Sequence, residues 1–259
     1  MTQDFAKSTT PELAPHYYRE NFQRLCNTVQ TQYTDLLSES EQDFLRDFHA
    51  LSFTAQCLYL RLISRTGPWF REARLSYAEL GSLKKPLDEL LEQGFAEAAE
   101  ELLIEEVGAL YTRAELTQLF GPRLAEKRYP DKPSQLAAIA ALSLPGPELM
   151  ASLHTVDQAR MVAPTGTEIV EILQLLFFGN RHQSLTEFEL SDLGVVAYYH
   201  YKLDKRYRQF ANRDALQEYM NCAALSDVHY EMMELGLQQS LPQLAEQALA
   251  LTVEHSSRE

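Results

Sequence analysis

Residues 58–80 read LYLRLISRTGPWFREARLSYAEL. Four arginines, Arg61, Arg65, Arg71 and Arg74, surround a Gly67-Pro68-Trp69 turn that holds the only tryptophan of the chain. Upstream, Ser52 is placed to open a helix over Phe53 to Ser64, and Thr66-Gly67-Pro68 ends it. Downstream, Trp69-Phe70 and Leu75 read as short extended pieces. Ser76 is expected to cap a short helix from Tyr77 to Leu80. Gly81-Ser82 then turns the chain into a helix from Lys84 to Gln93, with Pro86 tolerated in its first turn. Gly94 stops that helix, and Phe95 begins a strand. Helix, short strand, helix, turn, helix, strand is the order of a winged helix-turn-helix. Lys84 and Lys85 would then stand at the N-terminus of the helix that meets a ligand.

The basic cluster sits in an acidic chain of 259 residues with a formal net charge of −14. Cations held close together repel one another, so such a cluster asks for an anionic partner or for internal pairing. Charge is segregated along the chain. Residues 61–85 carry a net +4, 86–112 a net −8, 113–132 a net +2 and 199–213 a net +4. The overall charge excludes a nucleic-acid coat spread over the whole surface. It leaves room for a local site, because phosphate contacts need only a few placed cations. Pairing of the arginines with the 86–112 segment, or a plain solvated face, is the competing reading.

Hydrophobic residues make up 45% of the chain, enough for a packed core. Cys26, Cys57 and Cys222 are isolated and odd in number, so no disulfide framework or metal spacing is readable from them. The N-terminus lacks the apolar core of a signal peptide. The apolar run from Ile169 to Phe178 is too short to span a bilayer, and no membrane partner is expected. The seven histidines show no HxH, HxxxH or HExxH spacing, and GxxxxGK[ST] and GxGxxG are both absent.

Around this centre the chain reads as mainly helical. His16 to Leu37 is an amphipathic helix, with Tyr18, Phe22, Leu25, Val29 and Tyr33 on one stripe. Ser38 or Ser40 caps the next, with Ser40 and Asp43 as an approximate capping box. Glu100 to Gly108 is a short acidic helix. Thr112 caps a helix from Arg113 to Phe120, and a basic loop leads to a second helix from Gln135 to Leu142. The basic residues of this pair are Arg123, Lys127, Arg128 and Lys132. Residues 148–160 are expected to be helical, Pro164-Thr165-Gly166 to be a break, and Glu168 to Phe178 a strongly apolar helix. A helix from Arg213 to Ala224 precedes an antiparallel helical pair between Asp227 and Val253. The segment Tyr198 to Phe210 interleaves five aromatics with four cations, which suits a nucleic-acid or partner surface and equally a half-buried edge strand. Trp69 and Phe70 read as core anchors, with stacking on an unpaired base as the alternative.

Tyr17-Tyr18 followed by Asn21-Phe22, the run Leu58-Tyr59-x-Arg61-Leu62, and Trp69 through Tyr77 resemble the N-terminal half of the Fanconi-associated nucleases, the VRR-NUC phosphodiesterases. The resemblance extends from about Pro15 to Val253 and is strongest over 53–95 and 193–220. It implies a mainly α fold: winged-helix-like and SAP-like modules, then a helical-hairpin, repeat-like region. The implied division is a flexible N-terminus at 1–15, a winged-helix-like DNA-binding part at 16–108, a SAP-like module at 109–145, and a helical region leading into TPR-like repeats at 146–259. The SAP likeness is one of layout, since the leucine spacing is only partly present.

The implied complete enzyme is a 5′ flap endonuclease and 5′-3′ exonuclease of crosslink repair, dependent on Mg²⁺ or Mn²⁺. Its partners would be branched or flapped DNA and the family's C-terminal nuclease domain, in a bacterial, nucleoid-associated cytoplasmic setting. Backbone contacts are assigned to Arg61, Arg65, Arg71, Arg74, Tyr77, Lys84, Lys85, Arg128 and Lys132. Metal-dependent phosphodiester hydrolysis asks for carboxylates that hold the ion. The family pairs them with a Glu/Gln-x-Lys element. None of the seven lysines has Glu, Gln or Asp two residues before it, so no catalytic residue and no cofactor are assigned to this chain. A fragment or a truncated family member is the expectation. A protein-interaction scaffold or a homodimer, with the basic strip facing an acidic partner, is the rival reading. A stand-alone transcription regulator that reads a DNA sequence with the winged helix ranks last, because that helix offers only Lys84, Lys85 and Asp88 before turning acidic.

Overall fold

The computed structural model describes residues 15–125, 128–155, 160–181, 205 and 208–236. Among these, two compact units form: 15–26 with 43–181, and 27–42 with the described residues from 205 to 236.

Helices α1 (Tyr17–Tyr33), α2 (Glu39–Ala50) and α3 (Phe53–Ile63) open the chain. The Ser52 hydroxyl accepts from the Ala55 N–H and so caps α3 as expected. The cap of α2 is Ser38, one of the two residues expected, but the box is not the expected Ser40–Asp43 pair. Ser38, not Ser40, forms the box: its N–H donates to Glu41 and its hydroxyl accepts from the Glu41 N–H. Asp43 instead pairs with Arg46, one turn further on.

Strand β1 (Phe70–Arg71) and a 3₁₀ turn (Glu72–Arg74) follow the Gly-Pro-Trp turn. The helix expected from Tyr77 to Leu80 is only a turn. A single isolated turn fixes three residues for one hydrogen bond, and here tertiary contacts of Tyr77 and Glu79 hold the backbone irregular. Helix α4 (Lys84–Glu92) ends in a Schellman closure. Gly94 takes φ +74, its N–H reaches Leu91 O, and the Phe95 N–H reaches Leu90 O. Strand β2 (Ala96–Ala98) comes next.

Helices α5 (Ile104–Leu110), α6 (Arg113–Phe120), α7 (Lys132–Ala140) and α8 (Gly146–Leu153) build the middle. Thr112 and Glu115 form the capping box of α6, and Asp131 caps α7 through the Ser134 N–H. Then comes strand β3 (Met161–Pro164), where the sequence suggests only a break. It is the central strand of the sheet, in the order β1-β3-β2, antiparallel to both neighbours. Phe70 faces Val162, and Ala98 faces Val162 from the other side. Four apolar residues ending in proline are too short a run to carry a strand signal, and the pairing that makes them a strand is non-local. Helix α9 (Thr167–Phe178) closes this unit.

Two cores hold the first unit. Phe44, Phe48, Tyr59 and Phe95 meet ring to ring, with centroids 5.2 Å apart for Phe44–Phe95 and 5.3 Å for Tyr59–Phe95. The Tyr59 hydroxyl donates to Thr165 O at 2.8 Å. A second cluster joins Leu102, Val107, Tyr111, Leu116, Phe120, Ile139, Leu153 and Met161, with Trp69 packed against it.

In the other unit, helix α10 (Arg213–Glu234) is capped by Asn212. It runs through Asp227, so no new helix starts there. Arg208 forks onto Asp35 at 2.7 and 2.6 Å, and Arg213 reaches buried Glu41 at 2.7 Å. These two cations of the 199–213 segment are spent on internal pairing. Most of Tyr198 to Phe210, the segment near Leu190 to Ala197, nearly all of the N-terminal 1–15 stretch and the second half of the expected terminal helical pair lie outside the described residues. Among the described residues no helix is long and apolar enough to cross a membrane.

Candidate nucleic-acid interface

The arginines of the 58–80 stretch divide into buried and exposed sets. Arg61, on the last turn of α3, donates through two nitrogens to Glu79 Oε1, at 2.8 and 2.6 Å. Its guanidinium also lies 4.1 Å from the centre of the Tyr18 ring. This explains the Tyr17-Tyr18 pair on α1: Tyr18 is one wall of the Arg61 seat. Burial, first, and the nearby Cys57 push the Tyr18 hydroxyl above its ordinary range.

Arg65 is exposed. It donates to the Tyr77 hydroxyl at 3.3 Å and lies over the Phe70 ring. Arg65 and Tyr77 are thus brought together although they stand on different segments.

Arg71 is 4% exposed, against the expectation that it contacts DNA backbone. Its guanidinium lies 4.1 Å from the Tyr111 ring centre and donates to Glu115 Oε1 at 2.7 Å. A guanidinium enclosed in this way cannot present its fork to an external phosphate. Arg74 shares the same carboxylate oxygen at 2.8 Å but stays two-thirds exposed. Burial alone would raise the Glu115 carboxyl; the Thr112 N–H and both arginines outweigh it and hold the group at about 2.

Lys84 and Lys85 are exposed in the first turn of α4, which has no side-chain cap. Cations at a helix N-terminus oppose the macrodipole, so their placement serves something other than helix stability. Arg128 is exposed, and Lys132 is half-buried in the first turn of α7. Arg123 pairs with Glu148 instead of standing free. The sequence gives no sign of Arg160, which ties Glu72 at 2.9 Å to Asp88 at 2.7 Å and so fixes the 3₁₀ turn against α4. Among the described residues the carboxylates that meet these arginines lie outside the acidic 86–112 segment of the rival reading: Glu79 pairs with Arg61, and Glu115 with Arg71 and Arg74, while Arg65 rests on Tyr77 and Phe70. Trp69 is a half-buried anchor whose ring N–H donates to Glu106 at 2.8 Å.

Among the described residues no group of three His, Cys, Asp or Glu is placed to hold a metal ion. No step is therefore derived through Mg²⁺ or Mn²⁺.

Residues 16–97 match the family described as FAN1, HTH domain. The Fanconi-associated nuclease 1 homolog of Pseudomonas aeruginosa is 30% identical over 224 residues, covering 85% of this chain and 40% of that protein. The homolog of Arabidopsis thaliana is 27% identical over 226 residues, covering 84% of this chain and 25% of that protein. The crystal structure of paFAN1 bound to 2nt 5′flap DNA with gap superposes with a TM-score of 0.78 at 28% identity, over 91% of this chain and 42% of that one. The chain thus spans 40% or less of the length of these curated relatives. By fold, by the matched segment and by these relatives, the chain corresponds to the N-terminal part of the Fanconi-associated nucleases, with the FAN1 HTH domain at residues 16–97.

Proposed function

We propose that this chain holds duplex DNA beside a 5′ flap or nick, so that a nuclease domain beyond this region can cut it. The observation that carries this reading is the superposition on paFAN1 bound to flap DNA over nine-tenths of the chain. The exposed cations, with half-buried Lys132, support it. Arg65, Arg74, Lys84, Lys85, Arg128 and Lys132 are assigned to phosphate oxygens, with Arg61 and Tyr77 completing the Arg65 edge. Arg71 supports Arg74 from beneath through their shared carboxylate. Contacts of this kind are largely independent of base sequence and weaken with salt. The 16–108 part supplies the first cations and the 109–145 part the last two. On this reading the complete protein acts in interstrand crosslink repair, in the bacterial cytoplasm at the nucleoid, with metal supplied to the C-terminal nuclease domain.

The test is a titration with a labelled 5′-flap substrate and a matched blunt duplex at two salt concentrations, with Mg²⁺ present. Tighter, salt-weakened flap binding without cleavage is expected. No binding to either substrate, together with a mass that rises with concentration, would replace this reading with a homodimeric scaffold.

A further inference from the structure

A concave site lies between α6 and α7, lined by none of the arginines of the 58–80 stretch. It has a volume of about 340 Å³, and Arg113, Thr117, Leu124, Arg128, Tyr129 and Gln135 line it. Among the described residues no acidic side chain lines it. Arg113 is pinned by a bond to Tyr129 O at 2.5 Å. Arg128 is exposed and makes no ion pair among the described residues.

Gln135 is the telling residue. It is 2% exposed, and its Oε1 has no hydrogen-bond partner. The amide orientation is not arbitrary. Nε2 donates to Thr117 Oγ1 at 2.9 Å and to Arg113 O at 3.3 Å. The Thr117 hydroxyl proton is already given to Arg113 O, so Thr117 can only accept from Gln135. Turning the amide over would set Oε1 against the Arg113 carbonyl, acceptor to acceptor. A buried acceptor left unmade is costly and asks for an explanation.

A ligand that answers both ends of this pocket must bring an N–H donor for Gln135 and an anion for Arg128. A backbone phosphodiester by itself brings only acceptors and leaves Oε1 as it is. A nucleotide brings both, because the pairing edge of every unpaired base carries N–H groups and the phosphate lies one sugar away. In a duplex that edge is already engaged and cannot enter a concavity of this size. We propose that this pocket takes the base of one unpaired nucleotide of DNA, with an N–H on Gln135 Oε1, the base face beside Tyr129 and the flanking phosphate on Arg128. The proposal rests on the DNA-holding reading and adds to it a seat for a single displaced nucleotide. Oε1 is closed to solvent in the unliganded pocket, so occupancy requires a small local opening.

The test compares the wild-type chain with Gln135→Met and Arg128→Ala on two probes, a 5′-flap substrate and the matched blunt duplex. A third probe is the same flap with 2-aminopurine at successive unpaired positions. Gln135→Met should weaken flap binding about five- to tenfold and leave duplex binding unchanged, as one lost hydrogen bond to a base predicts. In the wild type one 2-aminopurine position should change its emission, and Gln135→Met should abolish that change. Arg128→Ala removes an exposed side chain that has no ion pair to lose among the described residues, so it reports even where Gln135→Met fails to fold; it should reduce the same emission change. For Gln135→Met, equal loss on flap and duplex, or no loss on either, overturns the nucleotide seat and leaves the DNA-holding reading standing; so does an Arg128→Ala chain that binds the flap with the emission change undiminished. Absence of wild-type binding to every probe overturns that reading and the seat with it.

Discussion

The Arg71 guanidinium donates to Glu115 Oε1 at 2.7 Å across 44 residues of chain. It joins β1, within the segment matched as the HTH domain, to α6 of the SAP-like part. Both partners are largely enclosed, at 4% and 13% side-chain exposure. Removing one partner from such a pair leaves a buried charge uncompensated, which costs more than the pair itself contributes. Glu115→Gln should lower the unfolding free energy by about 3 kcal/mol, read by urea denaturation. A loss below about 1 kcal/mol would show that water reaches Arg71 when its partner is gone.

The same carboxylate sets an acid limit. Glu115 is held at about 2 in the fold, against an unfolded value near 4.5. A depressed folded pKa gives stability that is complete above the unfolded value and is lost as pH falls through the folded one. Stability should therefore decline from about pH 4.5 toward about pH 2, and the decline should be shallower in Glu115→Gln. Asp35, held at about 2 chiefly by its hydrogen bonds from Arg208, adds to the slope in the other unit. Thermal unfolding across that pH range is the measurement.

Exposed and buried arginines should separate cleanly under alanine substitution. Arg65→Ala and Arg74→Ala should leave unfolding nearly unchanged and weaken flap binding. Each should flatten the dependence of log affinity on log salt by about one unit. Arg71→Ala should lower stability and weaken binding only to the extent that the fold is lost. An unchanged salt slope in the first two variants would remove them from the interface.

Gly166 stands at the N-terminal cap of α9 with φ +70. A Cβ there would meet Phe44 Cε2 at 2.9 Å, in the aromatic core. Gly166→Ala should destabilise by about 2 kcal/mol through both backbone strain and crowding. Calorimetry of the variant beside wild type decides it.

What could be read from the amino acids alone was local. Ser52 caps α3, Thr112 caps α6 and Gly94 closes α4, because each acts within four residues of itself. The family resemblance through Trp69 to Tyr77 was also legible. Strand β3 was not, since its four residues become a strand only between β1 and β2. Nor was the fate of Arg71: four arginines in one stretch look alike until Glu115, on a distant helix, takes two of them. Gln135 carries no local signal, because an amide without a partner is visible only once its neighbours are in place.

The order β1-β3-β2 has a bearing on where this protein can be divided. The matched HTH segment ends at residue 97, and the central strand begins at Met161. The residues between them are an excursion that leaves the sheet and returns to fill its middle. A chain cut after residue 97 would keep two outer strands with nothing to pair between them, so the sheet is complete only in a chain that reaches at least Pro164.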